Sequence, residues 1–292
     1  MPKELDPSTN EKNFILESLY AGERLDGREL DAFRPLELEF GEEYGLADVR
    51  LGKTRVIARV SAQVVQPFSD RPFDGIFTIT TELGPMASPG FEVGRQTEAE
   101  VLLARLIEKS IRRSTALDTE SLCIVAGQKC WQVRADVHFL NHDGNMVDAA
   151  CIAVVAALQH FRRPDVSIEG ETVTVHSMTE RVPVPLSILH VPICEGDGGD
   201  EANVVTLIDA TLQEEQLRDG DMTVTMNKHG EVCQISKAGG VPLDPIAMHR
   251  DMNLAFVKVK EITAFIAKRL KEDEEKRVKR DNLLESKAEN ER

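Results

Sequence analysis

Residues 131–161 read WQVRADVHFLNHDGNMVDAACIAVVAALQHF. In the first part Trp131, Val133, Ala135, Val137 and Phe139 fall on alternate positions, the period of a strand with one buried face. Asn141 to Asn145 is a run of turn formers. From Met146 to Phe161 the grammar changes. Ala149, Ala150, Ile152, Ala153, Val154, Val155, Ala156 and Leu158 leave almost no polar face, so a helix here has to be buried under a sheet, and Arg162-Arg163-Pro164 stops it. A half-buried strand that feeds a fully apolar helix points to a layered α/β protein.

Upstream, Ser8 and Glu11 have the spacing of a capping box, and Phe14, Ile15, Leu19 and Tyr20 follow as an apolar stripe of a short helix. The polar turn Arg24-Leu25-Asp26-Gly27-Arg28 precedes alternation at Leu36, Leu38 and Phe40. Ala47, Val49 and Leu51, then Val56, Ala58 and Val60, flank Gly52-Lys53 as a hairpin. Residues 64 to 75 and 84 to 94 are Pro/Gly-rich loops around a strand from Ile76 to Leu83. A helix is expected from Thr97 to Arg113, with Val101, Leu102, Leu106, Ile107 and Ile111 as its apolar positions. Arg105, Lys109, Arg112 and Arg113 share a second face. Ser121 to Ala126 reads as a strand.

Downstream, strands are expected at Val173–Val175, Leu186–Val191, Val204–Ile208, Met222–Met226 and Val232–Ile235, followed by a helix from Pro245 to Leu270. Strand runs between helical ones imply an α/β (α+β) sandwich with mixed sheets rather than regular βαβ winding. Residues 1–270 are read as one domain of two strand-rich halves. Residues 271–292 are a charged C-terminal extension, either a solvated helix or a disordered tail.

With 292 residues, 41% of them hydrophobic, the chain can build a core without disulfides or metal. Its longest apolar runs fall short of the roughly 20 residues a membrane span needs, and the acidic start lacks the pattern of a secretory signal, so an intracellular protein is expected. The five cysteines are odd in number, scattered and without zinc spacing, which suits reduced thiols. A net charge of −15 argues against a broad basic nucleic-acid surface, and any RNA contact should be a local groove.

Four features could carry chemistry, each with a plainer reading. The stripe Arg105, Lys109, Arg112, Arg113 could line an RNA path through phosphate contacts, or be a solvated face paired with Glu98, Glu100 and Glu108. Asp209, Glu214, Glu215, Asp219 and Asp221 could bind a metal or supply a general acid, or form an exposed acidic loop. His138, Asn141, His142 and Asp143 could be metal ligands, or a tight connection at a strand end. Gly239-Gly240 could cradle phosphate, or turn the chain into its final helix. It lacks the Lys-Ser/Thr of a P-loop.

Three stretches taken together resemble the RNase PH family, in the form found in the eukaryotic RNA exosome core. They are Arg24 to Arg28 with the following hairpin; Asp118 to Cys123 through Trp131–Arg134 to Asn141–Asn145; and His160 to Val166. The likeness continues at Pro183–Ile188 and Met226–His229 and covers roughly residues 10 to 270 in order. It implies an RNase PH fold. It also implies partners: other RNase PH-like subunits closing a hetero-hexameric ring around an RNA channel, cap proteins and an associated nuclease, and RNA, with no membrane, cofactor or metal. The expected location is nucleus, nucleolus and cytoplasm. Active relatives need a Gly-Thr-Arg type turn for phosphate and two aspartates, because phosphate must be positioned and its charge countered before attack. Here the matching turn reads Gly144-Asn145-Met146-Val147-Asp148, with no threonine or arginine and an added carboxylate. The two acidic positions are Glu215 and Asp221. The resemblance therefore implies a non-catalytic ring subunit that scaffolds the ring and contributes to its RNA channel for 3'-to-5' RNA processing and degradation. The alternatives are a phosphorolytic 3'-to-5' exoribonuclease, alone or with a partner subunit, and a free-standing acidic chaperone or adaptor.

Overall fold

The computed structural model describes residues 7–92, 94, 97–169, 172–177, 180–199, 207–218, 220–240, 242 and 244–290. The first half begins with helix α1 (Thr9–Tyr20), started by the expected capping box, in which the Ser8 amide donates to Glu11 at 2.7 Å. Strands β1 (Leu36–Phe40), β2 (Leu46–Leu51) and β3 (Thr54–Val65) form an antiparallel meander. After β4 (Ile76–Leu83) come helix α2 (Glu98–Arg112), a single 3₁₀ turn at Glu120–Leu122, the hairpin β5 (Cys123–Val125) and β6 (Lys129–Asn141), and helix α3 (Met146–His160). The sheet runs β1-β2-β3-β6-β4, with β5 also on β6; β4 lies parallel to β6 and the other pairs are antiparallel.

The alternation in β6 has the predicted consequence: Trp131, Val133, Ala135, Val137 and Phe139 are all buried, and so are their counterparts Ala47, Val49, Leu51, Val56, Ala58 and Val60. α3 packs against β2 and β3 on one side and against β11 (Ile193–Gly199) of a second sheet on the other. Cover on both sides is what a helix without a polar face requires. Burying each of Ile152, Val154, Val155 and Leu158 contributes about 1.5–3 kcal/mol.

The second half contains β7 (Arg162–Arg163), β8 (Val166–Glu169), β9 (Thr172–Val175), β10 (Val184–Pro185), then β11, β12 (Leu207–Ile208), the one-turn α4 (Leu212–Glu215), β13 (Gly220–Met226), β14 (Val232–Gly239) and α5 (Pro245–Asn290). Its main sheet is antiparallel in the order β12-β11-β13-β14. The fold is thus a mixed α/β arrangement of two main sheets and two two-stranded pairs, β7–β10 and β8–β9, with packed helices and a long C-terminal helix.

Three expectations differ from the structure. The expected strand Leu186–Val191 is irregular chain: β10 pairs with β7, and Ile188 makes one bridge to Leu117. Pro185 and Pro192 bound the segment on both sides and leave it too short to extend into a ladder beyond the Ile188 bridge. β11 was not signalled, because Gly196, Gly198 and Gly199 hide any alternation; its partner β13, in register from Ile193 with Met226 to Gly199 with Gly220, holds it extended. In α2 the buried stripe is Leu103, Ile107, Ser110 and Ile111, whereas Val101 and Leu102 are exposed. Of the expected strand Val204–Ile208, residues 204–206 lie outside the described residues and the last two form β12. α5 passes position 270 unbroken, so the charged extension is helical as far as Asn290.

Its route is fixed by one contact set. His160, at the end of α3, accepts from the Gly45 amide at Nδ1 (3.1 Å) and meets Asp273 through Nε2 at 3.2 Å. Arg277 pairs with Asp273, donates to the Glu42 and Gly41 carbonyls, and stacks on Tyr44. Burial above all, together with Arg277, holds the His160 ring down at a pKa of about 4. The imidazole is therefore neutral at ordinary pH and presents Nε2–H to Asp273.

Candidate functional site

The turn before α3 is the centre of the site. Gly144 has φ +81°, and a Cβ there would lie 2.5 Å from the Ala210 carbonyl oxygen, so only glycine fits against the 210–212 segment. Asn145 follows with φ 51°, left-handed and locked from both ends. Its side-chain amide donates to Asp148 and to Asp209, each at 2.8 Å, and its backbone N–H donates to Glu215 at 2.8 Å. The first N–H of the helix entrance is thereby closed by a carboxylate of the chain itself.

Asp209 is the fully buried anchor of this turn, also left-handed at φ 53°. It accepts from the Arg34 backbone N–H (2.7 Å), from the Arg34 guanidinium (2.7 and 2.9 Å) and from Arg28 (3.1 Å). Burial alone would push its carboxyl up, but the bonds from Arg34 and Asn145 hold it below the usual carboxylate range. Beside it, Arg24 grips Glu214 with two bonds of 2.9 and 2.6 Å and caps the carbonyls of Ile208 and Asp209. The Arg24–Arg28 motif is thus a structural rivet, and two members of the acidic cluster are its buried partners rather than ligands for a metal. Asp219 lies outside the described residues.

The remaining two acids border an open cleft of about 350 Å³. Glu215 and Asp221 face it from one wall, with Arg218 between them, 3.6 Å from Glu215 and 4.0 Å from Asp221. Burial raises the Glu215 carboxyl above the usual range against the pull of Arg218 and the Asn145 amide. Arg105 and Lys109 of α2 line the same cleft with Leu102 and Leu106. Thr97 and Glu100 cap α2, and the Glu100 side chain also accepts from the Leu83 amide at 2.7 Å, tying the helix to β4.

The four basic residues of α2 are all exposed but do not act as one row. Arg105 and Arg112 both pair with Glu108, at 3.0 and 3.2 Å. Arg112 faces a second cleft of about 630 Å³ together with Phe68, Arg71 and Thr119, and Arg113 is the C-cap residue. Only Arg105 and Lys109 therefore share the cleft with the acidic wall.

Family models for the 3' exoribonuclease family match residues 32–164 (domain 1) and 199–258 (domain 2). Exosome complex component rrp45 of Schizosaccharomyces pombe is 55% identical over all 292 residues, with both chains covered in full. The chain belongs to the RNase PH family. Exosome complex component RRP45 of Saccharomyces cerevisiae is 51% identical, with 98% of each chain covered. Among solved structures, a chain of the Archaeoglobus fulgidus exosome with RNA bound to the active site superposes with a TM-score of 0.76 at 30% identity, covering 87% of this chain and 97% of that one.

A helix entrance that is to hold phosphate needs positive charge that is not already neutralised. In this chain that entrance holds Glu215 on the amide, Asp148 in the first helical turn and Asp209 behind, while Arg34 is spent on Asp209 and on the carbonyls of Asp143 and Gly144. Arg218 is the cleft residue that sequence reasoning missed. Its signal was the i, i+3 spacing Glu215–Arg218–Asp221, which places one cation between two acids. The His138 group is dispersed: His138 pairs with Glu82 on the sheet surface at 2.9 Å, Asn141 and His142 cap the turn, and no cluster fit for a metal occurs among the described residues. Gly239 ends β14 with φ +68°, followed by Gly240 at +67°.

Proposed function

We propose that the chain is a ring-building component of the RNA exosome core that does not itself carry out phosphorolysis. The observation that carries this reading is the turn at Gly144–Asp148, whose helix-entrance amide is occupied by Glu215 and whose neighbours are Asp148 and Asp209. Inorganic phosphate arriving there would meet Glu215 already on that amide, with Asp148 and Asp209 buried behind it and Arg218 held between Glu215 and Asp221. Identity above one half to two proteins named as exosome components supports the assembly. Its partners are then other RNase PH-like subunits in a hetero-hexameric ring, cap proteins, an associated nuclease, and RNA. Arg105, Lys109, Arg112 and Arg113 are the residues assigned to the RNA path, on the strength of their exposure and the cleft that the first two line. The family resemblance alone supports action in nucleus, nucleolus and cytoplasm.

The test is incubation of the purified chain with single-stranded RNA and inorganic phosphate. No nucleoside diphosphates are expected. Phosphate-dependent shortening that disappears in Asp221→Asn would overturn the reading in favour of the exoribonuclease alternative.

A further inference from the structure

Cys123 and Cys130 stand directly opposite each other in the β5–β6 register. Opposed residues of an antiparallel pair project from the same face, with Cα atoms about 4.5–5.5 Å apart. A disulfide spans Cα separations of about 4.4–6.8 Å, a range that includes the spacing of an opposed pair, and the register shift between Cys123 and Val125 lies to one side of this pair. The two thiols sense each other electrostatically: burial, and then Cys123, push the Cys130 thiol above its usual range. They also differ in access. Cys123 is half-buried and Cys130 fully covered, whereas Cys151 and Cys194 are both sealed in the core.

We propose that Cys123 and Cys130 form a reversible cross-strand disulfide when the chain meets a low-molecular-weight disulfide such as oxidised glutathione. The Cys123 thiolate attacks one sulfur of the oxidant, forming a mixed disulfide and releasing one glutathione thiolate. Cys130 then loses its proton to solvent and attacks the Cys123 sulfur, displacing the second glutathione thiolate. Two protein thiols are oxidised and one small disulfide is reduced. The sequential order follows from access, since only Cys123 can meet the reagent first. The pair sits in the support of the 66–75 loop. The Gly127 amide at the hairpin tip donates to the Pro72 carbonyl at 2.8 Å, and Gly75 donates to Thr119 at 2.9 Å just before β5. Oxidation therefore locks the buttress of the loop that borders the Arg112 cleft.

The experiment treats the full chain, in the assembly with which it purifies, with oxidised glutathione, blocks free thiols with N-ethylmaleimide under denaturing conditions, and digests with trypsin without reduction. Cleavage after Arg113, Lys129 and Arg134 puts Cys123 on Ser114–Lys129 and Cys130 on Cys130–Arg134, so the two peptides travel together only if bridged. Joined peptides are expected after oxidation, separate alkylated peptides before it, and separation again with dithiothreitol. Cys123→Ser should leave Cys130 fully alkylated and free of glutathione. The proposal is overturned by separate peptides after oxidation, by Cys123 recovered only as its glutathione adduct, or by either cysteine joined to Cys233 instead.

Discussion

Asp209 holds two arginines and an asparagine in a place that water does not reach, and the sign of its contribution with pH follows from that. Its carboxyl is held below the ordinary range, so the stability it adds is present at neutral pH and is lost as pH falls through the carboxylate range. Asp209→Asn keeps the volume and tolerates the left-handed backbone, yet takes from buried Arg34 its closest counter-charge, leaving it only Asp143 at 3.6 Å, while Arg28 keeps Asp26. A loss of about 3–5 kcal/mol is expected, read as a lower denaturant midpoint at unchanged slope. A variant within error of the parent would mean that the cluster is replaceable. His160 works in the same direction through a different window. Its folded pKa of about 4 lies below the roughly 6.5 of an unfolded histidine, so the unfolded state takes up a proton first and stability declines from about pH 6.5 down to about 4. His160→Gln should flatten that stretch of the stability–pH curve relative to the parent, and an unchanged slope would show that the ring does not titrate as its burial requires.

At the scale of elements, α2 is where an RNA role can be separated from a structural one. Replacing Arg105, Lys109 and Arg112 by glutamine, rather than glutamate, avoids placing new carboxylates beside Glu108. Because these side chains are exposed, each change should alter stability by under about 0.5 kcal/mol. RNA binding by the assembled ring should weaken alike for all sequences, and its dependence on salt should become shallower by about 0.7 of a log unit for each phosphate contact removed. Protection of the same RNA length with the same salt dependence would reduce the stripe to a solvated face. The same helix shows where sequence reading stops. Ser110 sits inside the buried stripe because its hydroxyl bonds the Leu106 carbonyl at 2.9 Å and meets Thr225 at 3.1 Å, and this polar residue masked the true phase. β6 and α3 were readable because their burial is written in a local period. β11 was not, since its glycines gain extended form from β13. The pairing of Arg24 with Glu214, or of Asn145 with Glu215, was beyond reach for a similar reason: partners about 70 to 190 positions apart leave no local pattern.

For the whole molecule, the edge strand β14 with Val232 and Ile235 exposed predicts an isolated chain that associates without its ring partners, against the solubility that a charge of −15 confers. Light scattering that finds a well-ordered, salt-insensitive monomer would count against the ring reading. The rivet between residues 24–34 and 208–214 has a consequence for how such a chain comes into being. Its halves are separated by 175 to 190 positions along the sequence. At a synthesis rate of about 5–20 residues per second, the N-terminal turn must wait on the order of ten seconds or more for its partners to be made. During that interval β1 to β6 and α3 already exist, while the face of α3 that β11 will cover stays open to solvent. The nascent chain therefore passes through a vulnerable stage on the ribosome, with a greasy helix uncovered, Arg24 without any of its partners and Arg34 without Asp209. A chaperone that shields apolar segments would find its natural client there, and a ribosome stalled before position 209 should release a product that aggregates rather than a folded half.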